Sequence, residues 1–148
     1  MSPTHDIRID PRGTRFGALV TLAVALAALV IGPTTIGIIL MAVLAAMFVP
    51  GATIGPQATL QSFLFRTLIR PRLSAPTETE SFRPPRFAQQ MGLAMSAAGL
   101  VLGLAELDAG FYVFAALVTV ASFLNGVFGF CAGCEIYLLF KRATTKAA

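Results

Sequence analysis

The 148 residues are 56% hydrophobic and only 12% charged, with a formal net charge of +4. A soluble domain is about a quarter charged, so this composition excludes an ordinary water-soluble globule and points to a bilayer. Basic residues that flank membrane spans and meet anionic headgroups account for the positive charge, and no nucleic-acid partner is implied.

The chain opens on a polar tail containing His5, its only histidine. A disordered tail is the expectation there, with no ligand or catalytic role. Phe16 to Phe65 then runs for 50 residues without a charge. A charge at mid-bilayer costs about 2.5–3.5 kcal/mol, whereas water-facing helices need charges, so such a run marks lipid-facing segments. It is too long for one span and fits two. Gly32-Pro33-Thr34-Thr35 supplies the turn between spans at Phe16 to Ile31 and Ile36 to Val49. The first span is read as retained, because no A-x-A-like site followed by a soluble mature region appears.

Gln57 to Arg70 is too short to cross. With Leu60, Phe63, Leu64 and Leu68 on one helical face, it reads as a helix lying in the interface. Ser74 to Pro85 reads as an exposed linker whose prolines block helix and whose glutamates are solvated. A second hairpin follows, with Phe87 to Ala105 as one arm, a turn at Glu106 to Gly110, and a span from near Phe111. Beyond it, Val127 to Phe140 is apolar, and making it a fifth span would carry the closing Lys141, Arg142 and Lys146 across. A bend at Asn125-Gly126 or at Gly129 is therefore expected, with a helix that stays near the same face. The alternative is one tilted helix from Phe111 to Phe140, about 45 Å long.

All 11 basic residues fall on one side of this four-span topology, and both hairpin turns carry none. The positive-inside rule makes that side, with both termini, cytoplasmic in a cell membrane. The chain is expected to be one membrane domain over residues 1–148. Tandem punctuation divides it into repeat 1, about 11–72, a linker at 73–83, and repeat 2, about 84–142. Arg15-Phe16 is echoed by Arg86-Phe87 at an offset of 71, and Phe48-Val49-Pro50-Gly51 by Phe123-Leu124-Asn125-Gly126 at 75, as is Phe65 by Phe140. The predicted fold class is all-α, with four transmembrane helices as two tandem hairpin repeats, each followed by a short interfacial or bent helix. Two halves that each cross twice share an orientation and relate by an axis along the membrane normal.

Chemistry is concentrated in Cys131-Ala-Gly-Cys134-Glu135, which holds the only two cysteines. Residues i and i+3 of a helix stand at a separation that allows a disulfide. A helix starting near Phe130 puts Cys131 in its first turn, where free N–H groups and the helix dipole favour a thiolate. Cys131 is thus the candidate attacking thiol and Cys134 the resolving one. Glu135 is a candidate proton acceptor that also burdens its neighbour Cys134, or else a topogenic interface charge. Asn125 and Gly129 are expected to shape the site, and Tyr137 to serve it or anchor the interface. No cofactor is implied, and zinc would need ligands from a partner chain. The absence of G-x-x-x-x-G-K-[ST], of G-x-G-x-x-G after a strand and of a Ser, His, Asp set argues against nucleotide use and hydrolysis.

Ile9-Asp-Pro-Arg-Gly-Thr-Arg-Phe16, Pro84-Pro-Arg-Phe-Ala-Gln89 and Phe128-Gly-Phe-Cys-Ala-Gly-Cys-Glu-Ile-Tyr137 resemble the bacterial, especially actinobacterial, membrane family termed domain of unknown function 4395. The resemblance implies no established activity. Members are often encoded beside thioredoxin-like or rhodanese-type proteins, which by analogy implies a redox or sulfane-sulfur partner of that kind. Each half is also similar to the two-span domains of some rhodaneses that end in G-F-C-P-x-Y. Here Ala132 replaces the proline and Pro56 stands opposite Cys131, which leaves one half equipped for thiol chemistry. Two readings follow: a membrane thiol-disulfide or persulfide relay, and a non-enzymatic scaffold or small-solute channel with structural cysteines. Homo-oligomerisation is left open by the sequence.

Overall fold

The computed structural model describes residues 7–146. Four helices long and apolar enough to cross a membrane form the body: α1 (Pro11–Ile31), α2 (Thr35–Thr53), α4 (Arg83–Leu104) and α5 (Asp108–Phe128). A short α3 (Leu60–Leu64) and a terminal α6 (Ala132–Lys146) follow the first and second hairpins. The chain is a multi-pass membrane protein of mainly α-helical structure, as its charge-free windows predict.

Helix ends follow local chemistry. Asp10 caps α1, its carboxylate accepting the Arg12 N–H at 3.0 Å, and Pro11 opens the first turn. Thr34 caps α2 through the Gly37 N–H. Pro84 and Pro85 lie inside the first turn of α4, where a missing N–H costs nothing, so the linker ends at Phe82, three residues earlier than its prolines imply. The expected interfacial helix is also broken up. Thr59 caps α3, whose backbone continues into a π-helical turn (Phe65–Ile69) and a 3-10 turn (Arg70–Arg72) closed by Pro71. Its predicted apolar face is the outward one. Leu60, Phe63 and Leu68 are exposed, whereas Gln61 and Phe65 are buried against α1 at Gly17 and Gly13.

Packing in the bundle pairs α1 with α5 and α2 with α4, with α4 and α5 also in contact. The buried core joins Ala25, Met41, Leu44, Phe48, Phe111, Ala115 and Val118. One face of α4 carries Gly92, Ser96, Gly99 and Gly103, all buried. Large side chains fill that groove: Phe48 lies on Gly92, Met41 on Gly99 and Phe111 on Gly103. Small residues let backbones approach in a bilayer, where burial of apolar surface alone gives no drive to associate. The outer surface is apolar instead, with Val30, Ile36, Val101 and Val113 all more than half exposed.

Both hairpins begin and end at one end of the bundle, which carries the basic residues. There Arg15 Nη2 donates to the carbonyls of Gly126 (3.5 Å) and Val127 (3.1 Å), at the last turn of α5. Arg86 does the same for α2, with Nε to Ala52 O at 3.4 Å and Nη2 to Thr53 O at 2.9 Å. A two-residue antiparallel pair, β1 (Arg8–Ile9) with β2 (Glu80–Ser81), ties the linker to the lead-in of α1.

At the second hairpin, α5 runs through Gly126 and ends at Phe128, so the break lies at Gly129. Gly129 sits at φ 69°, ψ 15°, and its N–H and that of Phe130 close on the carbonyls of Asn125 and Leu124. A single helix from Phe111 to Phe140 is thereby excluded. Beyond the turn α6 lies against α4, with Phe87 and Tyr137 ring centroids 5.8 Å apart. A Cβ on Gly133 would stand 2.7 Å from Ala88 Cα. Gly133→Val is expected to lift α6 off α4 at a cost of about 1–3 kcal/mol. Hydrogen exchange should then quicken over residues 132–146 while the four spans keep their protection; unchanged exchange in α6 would contradict this contact.

Candidate functional site

Cys131 immediately precedes α6 and Cys134 lies in its first turn. The two are joined by a disulfide, with Cα atoms 5.2 Å apart. The site grows from the turn before it: left-handed Gly129 ends α5, Phe130 and Cys131 lie outside helix, and α6 starts at Ala132. Cys131 takes the capping position itself. Its Sγ accepts the Cys134 N–H at 3.3 Å and its carbonyl accepts the Glu135 N–H at 3.1 Å. Sulfur thus stands where a serine or aspartate oxygen usually caps a helix, facing otherwise unpaired N–H groups. That is two positions earlier than a helix from Phe130 would place it, and the electrostatic argument for a stabilised sulfur anion on Cys131 applies there with a named donor.

Both cysteines line a cavity of about 400 Å³ between α1, α4, α5 and α6. Toward the basic end its wall carries Thr14, Arg15, Gln89 and Asn125; further in, Thr21 and Ser122 line it together with the apolar Met95 and Val118. Asn125 and Gly129 both line the cavity, and the Asn125 carbonyl also accepts the Gly129 N–H in the turn. Tyr137 is not part of the wall; it packs on Phe87 and holds α6. Glu135 is exposed and does not line the cavity. His5 lies outside the described residues. Among those residues, no cluster of three His, Cys, Asp or Glu gathers as metal ligands.

The carboxylate that does line the cavity is Glu80. The sequence reading places it in a solvated linker, but pairing of β2 with β1 lays it over α1, where its Oε1 accepts the Thr14 hydroxyl at 3.3 Å. Alternation of acid and threonine in Thr77-Glu-Thr-Glu80 carries no sign of this, because the contact spans 66 residues. Burial raises the Glu80 carboxyl above its ordinary value, against the opposing pull of the Thr14 hydrogen bond and Arg8. The folded state favours the neutral acid. Its contribution to stability is full below the ordinary value of 4.5 and is lost as pH rises through the raised one. Thermal stability in detergent should accordingly fall over that window in the wild type and fall less in Glu80→Gln; parallel pH profiles would show that Glu80 is solvated after all.

The family described as Domain of unknown function (DUF4395) matches residues 9–142. Comparison with curated proteins and with solved structures finds no match. Since the matched stretch takes in all four apolar helices, the cysteine turn and most of α6, the chain belongs to the DUF4395 family.

Proposed function

We propose that the protein is a membrane thiol-disulfide or persulfide relay working at the cytoplasmic face of the cell membrane. The observation that carries this reading is a disulfide at disulfide-forming Cα distance, in a helix-capping turn, in the wall of a cavity at the basic end of the bundle. A soluble dithiol, such as a thioredoxin-like protein, attacks the disulfide and forms a mixed disulfide with Cys131 while Cys134 leaves as thiolate. A second thiol of the partner then attacks that bond, so the partner leaves oxidised and both cysteines are reduced. In the reverse direction Cys131 attacks and Cys134 resolves. With a rhodanese-type partner the transferred atom would be a sulfane sulfur carried on Cys131.

Orientation in this reading follows the one-sided distribution of arginine and lysine, which puts the cysteine turn and both termini inside. The tandem repeat draws support from the two arginine clamps. Arg15 of the first half closes α5 of the second, and Arg86 of the second closes α2 of the first. Gly51 likewise meets Gln89 of α4 as Gly126 meets Leu19 of α1. Burial departs from the 75-residue offset elsewhere: Phe48 and Phe65 are buried, while Phe123 is 44% and Phe140 64% exposed. The third segments align better at 72, where Phe65 on Phe16 corresponds to Tyr137 on Phe87.

Alkylation in native membranes tests the relay. Both cysteines should label with a small maleimide only after reduction and lose that reactivity on reoxidation. Resistance of both under every redox condition would remove the chemistry.

A further inference from the structure

We propose that the cavity beside Cys131 and Cys134 is a binding site for a lipophilic quinone, which accepts the two electrons of the reduced cysteine pair. The inference rests on the relay reading. Once a soluble dithiol has been oxidised, the cysteines are left reduced, and the cycle closes only if a two-electron acceptor reaches them. The cavity fits such an acceptor in three respects. Its volume, about 400 Å³, lies in the range of small-molecule sites. Its charged and amide side chains, with Asn125, Gln89 and Glu80, lie toward the cysteine end, while the interior holds only the small hydroxyls of Thr21 and Ser122 among apolar groups such as Met95 and Val118, which suits a carbonyl-bearing ring with an apolar tail. It also opens sideways: Leu117 and Val120 line the cavity, yet are 47% and 56% exposed on the apolar outer surface of α5. A ligand dissolved in the bilayer can enter there without crossing water.

The wall extends along α4 from Pro85 to Met95, about 15 Å at the helical rise, which takes it from the basic end well into the bundle. In the step proposed, the sulfur–sulfur bond forms as two electrons pass from the dithiol to the quinone ring. The two thiol protons are matched by two protons on the ring oxygens, giving one disulfide and one hydroquinone. Glu80, at the polar wall and hydrogen-bonded to Thr14, is placed to pass one of those protons.

The test uses the full-length protein, purified in lipid nanodiscs, reduced, freed of reductant and kept anaerobic. A fully substituted short-chain benzoquinone is added, and loss of its ultraviolet quinone band is followed in parallel with free thiols. One quinone should be consumed per protein, at a rate that saturates with quinone concentration. Ala121→Leu and Met91→Phe, each adding bulk to the cavity wall, should raise the half-saturating concentration about tenfold or more, while exchange with a soluble aromatic disulfide keeps its wild-type rate. Linear, unsaturable oxidation that neither variant alters would overturn the site. So would a dithiol that exchanges with the soluble disulfide but leaves the quinone untouched, with the relay itself standing. A protein whose cysteines react with neither loses the relay and the quinone site together.

Discussion

A Cys134→Ser variant is expected to accumulate a mixed disulfide between Cys131 and its soluble partner, whereas Cys131→Ser accumulates none. The asymmetry comes from the capping turn. Cys131 Sγ accepts the Cys134 N–H at 3.3 Å, and serine at position 134 keeps that backbone donor. Sulfur at a helix N-terminus is held as thiolate by unpaired N–H groups and by the dipole of α6, so Cys131 remains the attacking group. Cys134 lies in the first turn of the helix with Glu135 beside it, and among the described residues its sulfur accepts no N–H. What the variant loses is intramolecular resolution. A neighbouring thiol held in place acts at an effective concentration of about 10⁵ M or more, so its removal should extend the lifetime of the mixed disulfide by several orders of magnitude. Non-reducing gels read this directly. The pH dependence of iodoacetamide modification in the two single variants gives the same order independently: one unit between the thiols is about 1.4 kcal/mol, or tenfold in thiolate. Should Cys134 alkylate at the lower pH, or the Cys131→Ser variant be the one that traps the partner, the attacking and resolving roles exchange.

The spans were legible because lipid excludes charge over whole windows, a property each segment carries in its own composition. Which glycine breaks the last helix was not. Gly126 and Gly129 look alike in sequence, yet Gly126 is small because Leu19 of α1 lies against it, at 2.7 Å from where a Cβ would be, while Gly129 is left-handed and ends the helix. The first reason is a contact with a residue more than a hundred positions away; the second is a local dihedral angle. Glu80 shows the same division. Its segment is polar and rich in turn formers, so it reads as solvated, and only pairing with Arg8–Ile9 brings it over Thr14 and into the cavity wall. The cysteine pair was legible because both of its members lie within one turn. The cavity was not, since its walls come from α1, α4, α5 and α6 together. The helix expected to lie in the interface over Gln57 to Arg70, on Leu60, Phe63, Leu64 and Leu68, is instead the short α3 followed by π-helical and 3-10 turns. Periodicity says that Leu60 and Phe63 share a side; that the side looks outward depends on Gln61 and Phe65 fitting against Gly17 and Gly13.

Arg86→Ala is expected to cost about 2 kcal/mol of stability and Arg15→Ala about half of that. The last carbonyls of a helix have no partner within it, and near a bilayer they compete poorly for water. Arg86, half-buried, satisfies two of them on α2, at 2.9 and 3.4 Å, and a charged donor to a carbonyl is worth more than a neutral one. Arg15 is exposed, and its contacts to α5 are 3.1 and 3.5 Å, so water replaces more of what it supplies. Function should rank the two the other way. Arg86 holds α2, which reaches the cavity only through Phe48, but Arg15 holds the turn of α5 that leads through Gly129 into Cys131, and it lines the cavity itself. Loss of Arg15 should slow disulfide exchange several-fold while thermal unfolding in detergent shifts little; loss of Arg86 should lower the unfolding temperature and leave the exchange rate of the folded fraction intact. Lysine at position 86 should recover only part of the stability, because a single ammonium cannot reach both carbonyls as the planar guanidinium does. Equal shifts in stability with no difference in exchange would show that the clamps close the helices without positioning the cysteine turn.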